Sequence, residues 1–409
     1  MKLKNFIFLL TFFFLLFSGA YGYDITVRIA LLMDQPAVGV SCPSGLTVKD
    51  AYTLKDIVKT SGKVIVKVYQ DKIFVNKIET ASKFVYVLTK DFNTPIYLNE
   101  VPYRGYYLIG FNENNRLMVV NYVGLEDYLG GVLGGEIISS WPMESIKAQA
   151  VAARTYAVHR LKAGGGKYYD MVNNTADQMY LGVKGESPRF LQAIKQTSSQ
   201  VLARDGKVIC AYYHSNSGGY TSDSWMVFKG DTAKLSGVMD PFSQGAPNSY
   251  WQIYLSSDTI RMRLLKNGIN IGKILSIKPY SRDGAGRVIY LQVDHTGGTT
   301  YVFGSDFRRY MGYSEIKSTR FNVKPCNYEP FTGAESARPY PLAQSAMQAP
   351  QMTTNIPSTY QFTGAGWGHG VGMCQWGAKK MAEQGYNYKE ILRHYYPDAS
   401  ICRVKSKTN

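Results

Sequence analysis

Leu125-Glu-Asp-Tyr-Leu-Gly-Gly-Val-Leu-Gly-Gly-Glu-Ile137, then Trp141-Pro142, then Lys147-Ala-Gln-Ala-Val-Ala-Ala-Arg-Thr-Tyr156 mark the point where the chain changes character. Apolar spacing predicts a short helix from Leu125 to about Glu136 and a longer one from Pro142 to Leu161. Ser139 and Ser140 are available to cap the second, whose first turn tolerates proline. Met143, Ile146, Ala150, Ala153, Ala157 and Leu161 recur at intervals of three and four, which gives one buried stripe. So many small residues imply close packing against a neighbour, and Gly164-Gly-Gly166 ends the helix.

Upstream, from Asp24 to about Val123, the pattern is that of strands. Alternation is clear in Lys63-Val-Ile-Val-Lys-Val-Tyr69 and Phe84-Val-Tyr-Val-Leu88, and continues in Tyr107-Leu-Ile-Gly110 and Leu117-Met-Val-Val-Asn-Tyr122. Downstream, strands are expected around Val201 to His214 and Tyr250 to Tyr254. A helix is expected from Ile260 to Asn267, and a hairpin from Ile274 to Asp294 turning at Asp283-Gly284. Lys324 to about Thr359 is rich in Pro, Ser, Ala, Gln and Thr and reads as a flexible loop. A closing helix is expected from Tyr388 to His394, stopped by Pro397.

Two further features bound the class. Lys2 and Lys4 precede the apolar run Phe6 to Phe17, and Ser18-Gly-Ala-Tyr-Gly22 supplies small residues in the spacing a signal peptidase prefers. Residues 1–22 therefore read as a secretory signal, which predicts an exported protein in the periplasm or at the cell-wall surface. No later segment is long and apolar enough to cross a bilayer. The remainder is too long for one ordinary core and predicts two lobes. Hydrophobic content of 45% with 19% charged residues describes a globular chain. The expectation is an α+β fold in two lobes, strand-rich, with a helical segment lining a central cleft. Its parts are strands over 23–123 and a catalytic region over 124–409, the latter holding an inserted strand-rich lobe at about 250–323. The net charge of +16 suits a polyanionic partner, and export makes nucleic acid the wrong one. Five cysteines, Cys42, Cys210, Cys326, Cys374 and Cys402, form no C-x-x-C pair; export would permit up to two disulfides.

A second informative stretch is Gly366-Trp-Gly-His-Gly-Val-Gly-Met-Cys-Gln-Trp-Gly-Ala378, followed by Tyr388-Lys-Glu-Ile-Leu-Arg-His-Tyr-Tyr-Pro397. With the stretches quoted first, His214-Ser-Asn-Ser-Gly-Gly-Tyr-Thr221 and Ser318-Thr-Arg-Phe321, they closely resemble the SpoIID/LytB family. The resemblance covers nearly the whole exported chain, in order. It implies a protein that works on peptidoglycan glycan strands. It would be either a lytic transglycosylase that leaves 1,6-anhydro-N-acetylmuramic acid ends or a non-catalytic enhancer of a cell-wall amidase.

Glu136 follows Gly134 and Gly135, which leave room for a ligand, and its other neighbours Leu133, Ile137, Ile138 and Trp141 are apolar. Desolvation and the C-terminal end of a helix dipole both favour the neutral carboxyl that a general acid needs. On residues alone an ordinary surface glutamate is the commoner reading; the resemblance reverses this, because the family's catalytic glutamate matches Glu136. Most glycosidases need two carboxylates, but a lytic transglycosylase manages with one. Lys147 and Arg154 lie two helical turns apart on one face, with Gln149 beside them, and the resemblance assigns them to a glycan cleft. Ser215, Ser217 and Tyr220 suit a sugar-binding rim, joined by His369 and Gln375 in or beside a loop with glycine at every second position. Trp376 reads as core, while Trp367 fits either core or platform. A Cys-His pair of Cys374 and His369 lacks an acidic residue to orient the imidazole. Many members of the family bind zinc through a Cys/His segment before a Q-x-Y-x-G string. The corresponding stretch here, Val172-Asn-Asn-Thr-Ala-Asp-Gln-Met-Tyr180, has neither residue, so neither metal nor other cofactor is expected.

Overall fold

The computed structural model describes residues 25–91, 94–231, 233–326 and 356–404. The expected signal segment and most of the expected loop, residues 327–355, lie outside them. The described chain forms two compact units: residues up to Tyr212 together with Met381 onward, and Tyr213–Lys380 between them. Helices and strands occur in several separate sheets, so the fold is α+β as the sequence predicts. The inserted unit is wider than the lobe expected at about 250–323.

In the first unit a seven-stranded sheet runs in the order Met171–Val172, Thr26–Gln35, Leu117–Gly124, Tyr106–Phe111, Phe84–Thr89, Leu46–Asp50, Asp56–Thr60. Its strands Phe84–Thr89, Tyr106–Phe111 and Leu117–Gly124 are buried along their whole lengths, so both faces are covered. One face gathers Phe84, Tyr86, Leu88, Tyr106, Leu108, Met118, Val120 and Tyr122 into a core. These are alternate positions, as a two-residue period requires. On the other face the Tyr107 hydroxyl donates to the Ile96 carbonyl at 2.7 Å, which ties in a second, six-stranded sheet of shorter strands.

Strand Leu117–Gly124 runs without a loop into helix α1, Leu125–Glu136, whose N-cap is Gly124. The sheet thus sets the direction of α1. Helix α2, Met143–Lys162, starts at Pro142. Ser139 and Ser140 do not cap it: Pro142 stands at the N-cap, and its carbonyl accepts from the backbone and side chain of Ser145. Every residue of α2 from Ser145 to Val158 except Lys147 is buried. One apolar stripe was expected, but α1, helix α3 (Pro188–Gln196), strand Gln200–Arg204 and helix Tyr388–Tyr395 all pack on it. Its alanines let four neighbours approach, and the polar residues between them are enclosed.

The second unit holds two three-stranded sheets, Trp251–Ser256 with Thr359–Gly364 and Phe321–Cys326, and Ile274–Arg282 with Val288–His295 and Gly298–Phe303. Helices Ser257–Lys266 and Gly304–Met311 close over a core that includes Ile260, Leu264, Leu291, Phe307 and Phe362. The hairpin at Asp283-Gly284 forms as expected. A short parallel pair, Tyr213–His214 with Met373–Cys374, joins the two ends of the unit.

Candidate functional site

Glu136 is the last residue of α1 and is half-buried. Segment 179–185 lies directly against the helix backbone. A Cβ on Gly131 would meet the Tyr180 ring at 2.6 Å, one on Gly135 the Met179 carbonyl oxygen at 2.6 Å, and one on Gly134 would strike the Gly185 carbonyl. The paired glycines are therefore filled by the protein's own chain, where the sequence suggested room for a ligand. This contact brings the Met179 amide to Glu136 Oε1, to which it donates at 3.0 Å. No sequence signal marks Met179, because its backbone does the work.

The segment that holds Met179 is tied down along its length. The Tyr128 hydroxyl donates to Gln178 Oε1 at 3.1 Å, the Gln178 amide donates to the Ala153 carbonyl at 3.3 Å, and the Tyr180 hydroxyl donates to Asn121 Oδ1 at 3.3 Å. Burial drives the Tyr128 and Tyr180 phenols well above their ordinary range, so both are neutral donors. Asp177 accepts from the Tyr156 hydroxyl and the Val172 amide, both at 2.8 Å, and pairs with Arg160 at 3.0 Å. Its carboxylate fastens the segment to α2. The residues at the family's metal-binding position thus do not fit a metal, and among the described residues no three His, Cys, Asp or Glu side chains cluster to hold one.

The three α2 candidates have different settings. Lys147 is the accessible one; it pairs with Glu144 and lies 5.0 Å from the Tyr388 ring centre. Gln149 is buried, and neither its amide oxygen nor its nitrogen has a hydrogen-bond partner. An amide enclosed in that way is destabilising until something meets it. Arg154 is fully buried, and each of its five N–H groups has an acceptor. Its fork holds Glu126 at 2.9 and 2.7 Å, and its other bonds go to the carbonyls of Ile194 and Gln200 and to the Thr197 hydroxyl. The cleft-facing cation expected from helical spacing is instead a clamp between α1, α2 and α3, because α2 has no solvated face at that position.

In the second unit, Ser217 is likewise inside. Its hydroxyl donates to Asp240 Oδ2 at 2.7 Å and accepts from the Gly219 amide at 3.1 Å, which makes it part of the wall and removes it from the expected rim. Ser215 is half-buried, Tyr220 and Trp367 are exposed, Trp376 is half-buried and Gln375 is buried. The glycines at 366, 368, 370 and 372 all have positive φ, a conformation other residues resist. A Cβ on Gly366 would meet the Asn216 carbonyl at 2.6 Å and one on Gly368 the His214 side chain at 2.7 Å, so here too the close approach is by the chain itself. It stacks residues 366–372 on His214–Gly218.

That stacking sets His369 5.5 Å from His214, ring to ring, with Arg287 and Arg308 near both. Burial, and then the neighbouring cations, push His369 down to about 3, and His214 well below its ordinary value. Both rings are neutral at neutral pH. Sequence reasoning passed over Arg287, which lies fully inside and donates to the Ser217 carbonyl at 2.6 Å. The Cys374 thiol accepts from the Ser217 and Gly377 amides and is pushed well above its usual range by burial, so it is no nucleophile. All five cysteines are free thiols.

Residues 113–203 match the family model described as Stage II sporulation protein, SpoIID. An uncharacterized protein of Brachyspira hyodysenteriae is 30% identical over 328 residues, covering 80% of this chain and 78% of the relative. Stage II sporulation protein D of Bacillus amyloliquefaciens is 25% identical over 309 residues, covering 70% and 76%. The chain belongs to the SpoIID family. The SpoIID match contains Glu136, Lys147, Gln149 and Arg154. A second model, described as a domain of unknown function, covers residues 184–372, and with it Ser215, Ser217, Tyr220 and His369; Gln375 falls outside both. Another relative, named amidase enhancer, from Bacillus subtilis, is 29% identical over 318 residues; the match covers 67% of this chain but only 40% of the enhancer. No helix among the described residues is long and apolar enough to cross a membrane.

Proposed function

We propose that this SpoIID-family protein is an exported peptidoglycan lytic transglycosylase in which Glu136 is the general acid and base. The observation that carries the reading is the carboxyl at the end of α1, half-buried and oriented by the Met179 amide on Oε1. The Met179 amide on Oε1 fixes the orientation of the carboxyl that carries the transferable proton. That proton passes to the glycosidic oxygen as the bond from C1 of N-acetylmuramic acid to that oxygen breaks, the electron pair leaving with the oxygen. The 6-hydroxyl oxygen of the same sugar then bonds to C1, and its proton returns to Glu136. No water and no second carboxylate take part in this step. Lys147, the accessible one of the three α2 candidates, is the polar group best able to meet acetamido and lactyl oxygens.

The test is mass spectrometry of purified glycan strands after incubation with the protein and with Glu136→Gln, which keeps shape and loses the proton. Anhydro ends formed by the parent and absent with the variant are expected; equal yields from both would end the assignment. A second reading is favoured by the relative named amidase enhancer: a wall-binding protein that stimulates a separate amidase. It predicts no anhydro ends from either form, and amidase stimulation that survives Glu136→Gln.

A further inference from the structure

A cavity of about 550 Å³ in the first unit is lined by Gln200, Leu202, Lys389, Leu392, Arg393 and the consecutive run Ala399 to Arg403. Side chains alternate across a strand, so a cavity that touches every residue of such a run lies along the backbone edge. Ser400–Arg403 is indeed an edge strand: it pairs with Gln200–Arg204 and, among the described residues, with no strand on its other side. The Val404 amide bonds to the Ser199 carbonyl at 2.9 Å, and the register sets Gln200 opposite Arg403. The alternation of an antiparallel ladder then turns the N–H and C=O groups of Ile401 and Arg403 outward, away from Gln200–Arg204.

The groove has a definite chemistry. Leu202 and Leu392 give an apolar floor. Lys389, Arg393 and Arg403 supply three cations, and among the described residues no acidic side chain lines the cavity and none of the three is in an ion pair. Charged edges commonly serve only to repel other strands, but that duty calls for no cavity alongside.

We propose that this groove binds an extended acidic peptide segment of a partner protein, added as a further strand along Ser400–Arg403 with its carboxylates on Lys389, Arg393 and Arg403. Strand addition draws affinity from main-chain bonds and specificity from alternate side chains. Here the leucines and the cations lie on one face, since Leu202, Ile401 and Arg403 share it with helix Tyr388–Tyr395, so an added strand would set both its apolar and its acidic side chains against that face. The proposal does not depend on the glycan reading, because Glu136 takes no part.

The experiment uses fluorescence anisotropy with the whole protein and a labelled eight-residue peptide of alternating Val and Glu. Parallel arms use the same peptide N-methylated at alternate amides and chains of poly(glycerol phosphate). The plain peptide should bind, N-methylation should weaken it about tenfold or more, and Arg393→Gln with Arg403→Gln should weaken it similarly at an unchanged melting temperature. Glu136→Gln should bind like the parent, whatever its activity on glycans. Absence of binding, equal binding of the methylated peptide, indifference to the arginine substitutions, or equal displacement by the polyphosphate would each overturn strand addition; the last would leave only a surface for polyanions.

Discussion

Replacing Arg154 by Met keeps length and removes the clamp. The parent guanidinium is fully buried and spends five donors on Glu126, Ile194, Thr197 and Gln200. Breaking a buried pair by removing one partner is destabilising by about 3–5 kcal/mol. Glu126 is 41% exposed and can rehydrate, which argues for the lower end, roughly 3 kcal/mol. For a unit of this size that is about 6–12 °C in melting temperature. Glu126→Gln should lose less, about 1–2 kcal/mol, since the single amide oxygen keeps one of the two bonds of the fork while the other donor loses its acceptor. Arg154→Lys should recover little, because an ammonium cannot span Glu126 and the carbonyls beyond it. Differential scanning calorimetry and sedimentation with wall sacculi give the answer together. If Arg154→Met melts within about 2 °C of the parent yet no longer binds sacculi, Arg154 contacts ligand and the clamp is wrong.

Chelator treatment should change neither melting nor activity, and elemental analysis of protein made without a histidine tag should find no stoichiometric zinc, because Asp177 is engaged with Tyr156, Val172 and Arg160. Acid should destabilise the second unit: His369 falls to about 3 when folded and its ordinary value is 6.5, so the unfolded chain takes up the proton first. Stability is full above about 6.5 and declines down to about 3, and His369→Gln should flatten that slope in a pH series of thermal melts. Thiol titration of the native protein should modify exposed Cys402 rapidly and Cys374 only on unfolding. Sedimentation with sacculi should fall steeply with salt, since at about 1 M the Debye length is roughly 3 Å, while turnover of short uncharged glycans stays level; parallel losses would move the net charge of +16 into the cleft itself.

The elements most legible in the sequence are those that a local pattern specifies. Helix α1 runs from Leu125 to Glu136 as read, and the strands at 64–69, 84–89, 106–111 and 117–124 follow their alternation. What the pattern misjudged is what distant residues decide. Arg154 looked like a cleft residue because a helical wheel cannot show α3 and strand Gln200–Arg204 arriving on that face. Its partner Glu126 stands 28 positions away. Gly134 and Gly135 looked open because the sequence does not say that residues 179–185 come to lie on them. Ser217 looked like a rim residue, yet Asp240 draws its hydroxyl inward, and nothing near Ser217 in the chain announces Asp240. Glu136 was found through its motif; its backbone partner at Met179 had to be seen.

The strand Ser400–Arg403 also constrains how the chain folds. Val201 waits for Cys402, roughly two hundred positions further on, a separation of the kind that slows folding. The parallel pair of Tyr213–His214 with Met373–Cys374 shortens that search. Once it has formed, only about 40 residues remain to be closed, which relieves about 1.4 kcal/mol of loop entropy, or about a tenfold gain in closing rate. Early closure of the inserted unit would therefore shorten the loop that the first unit has to close. Substitutions that loosen the inserted unit should slow the folding of the first unit while leaving that unit's own contacts untouched.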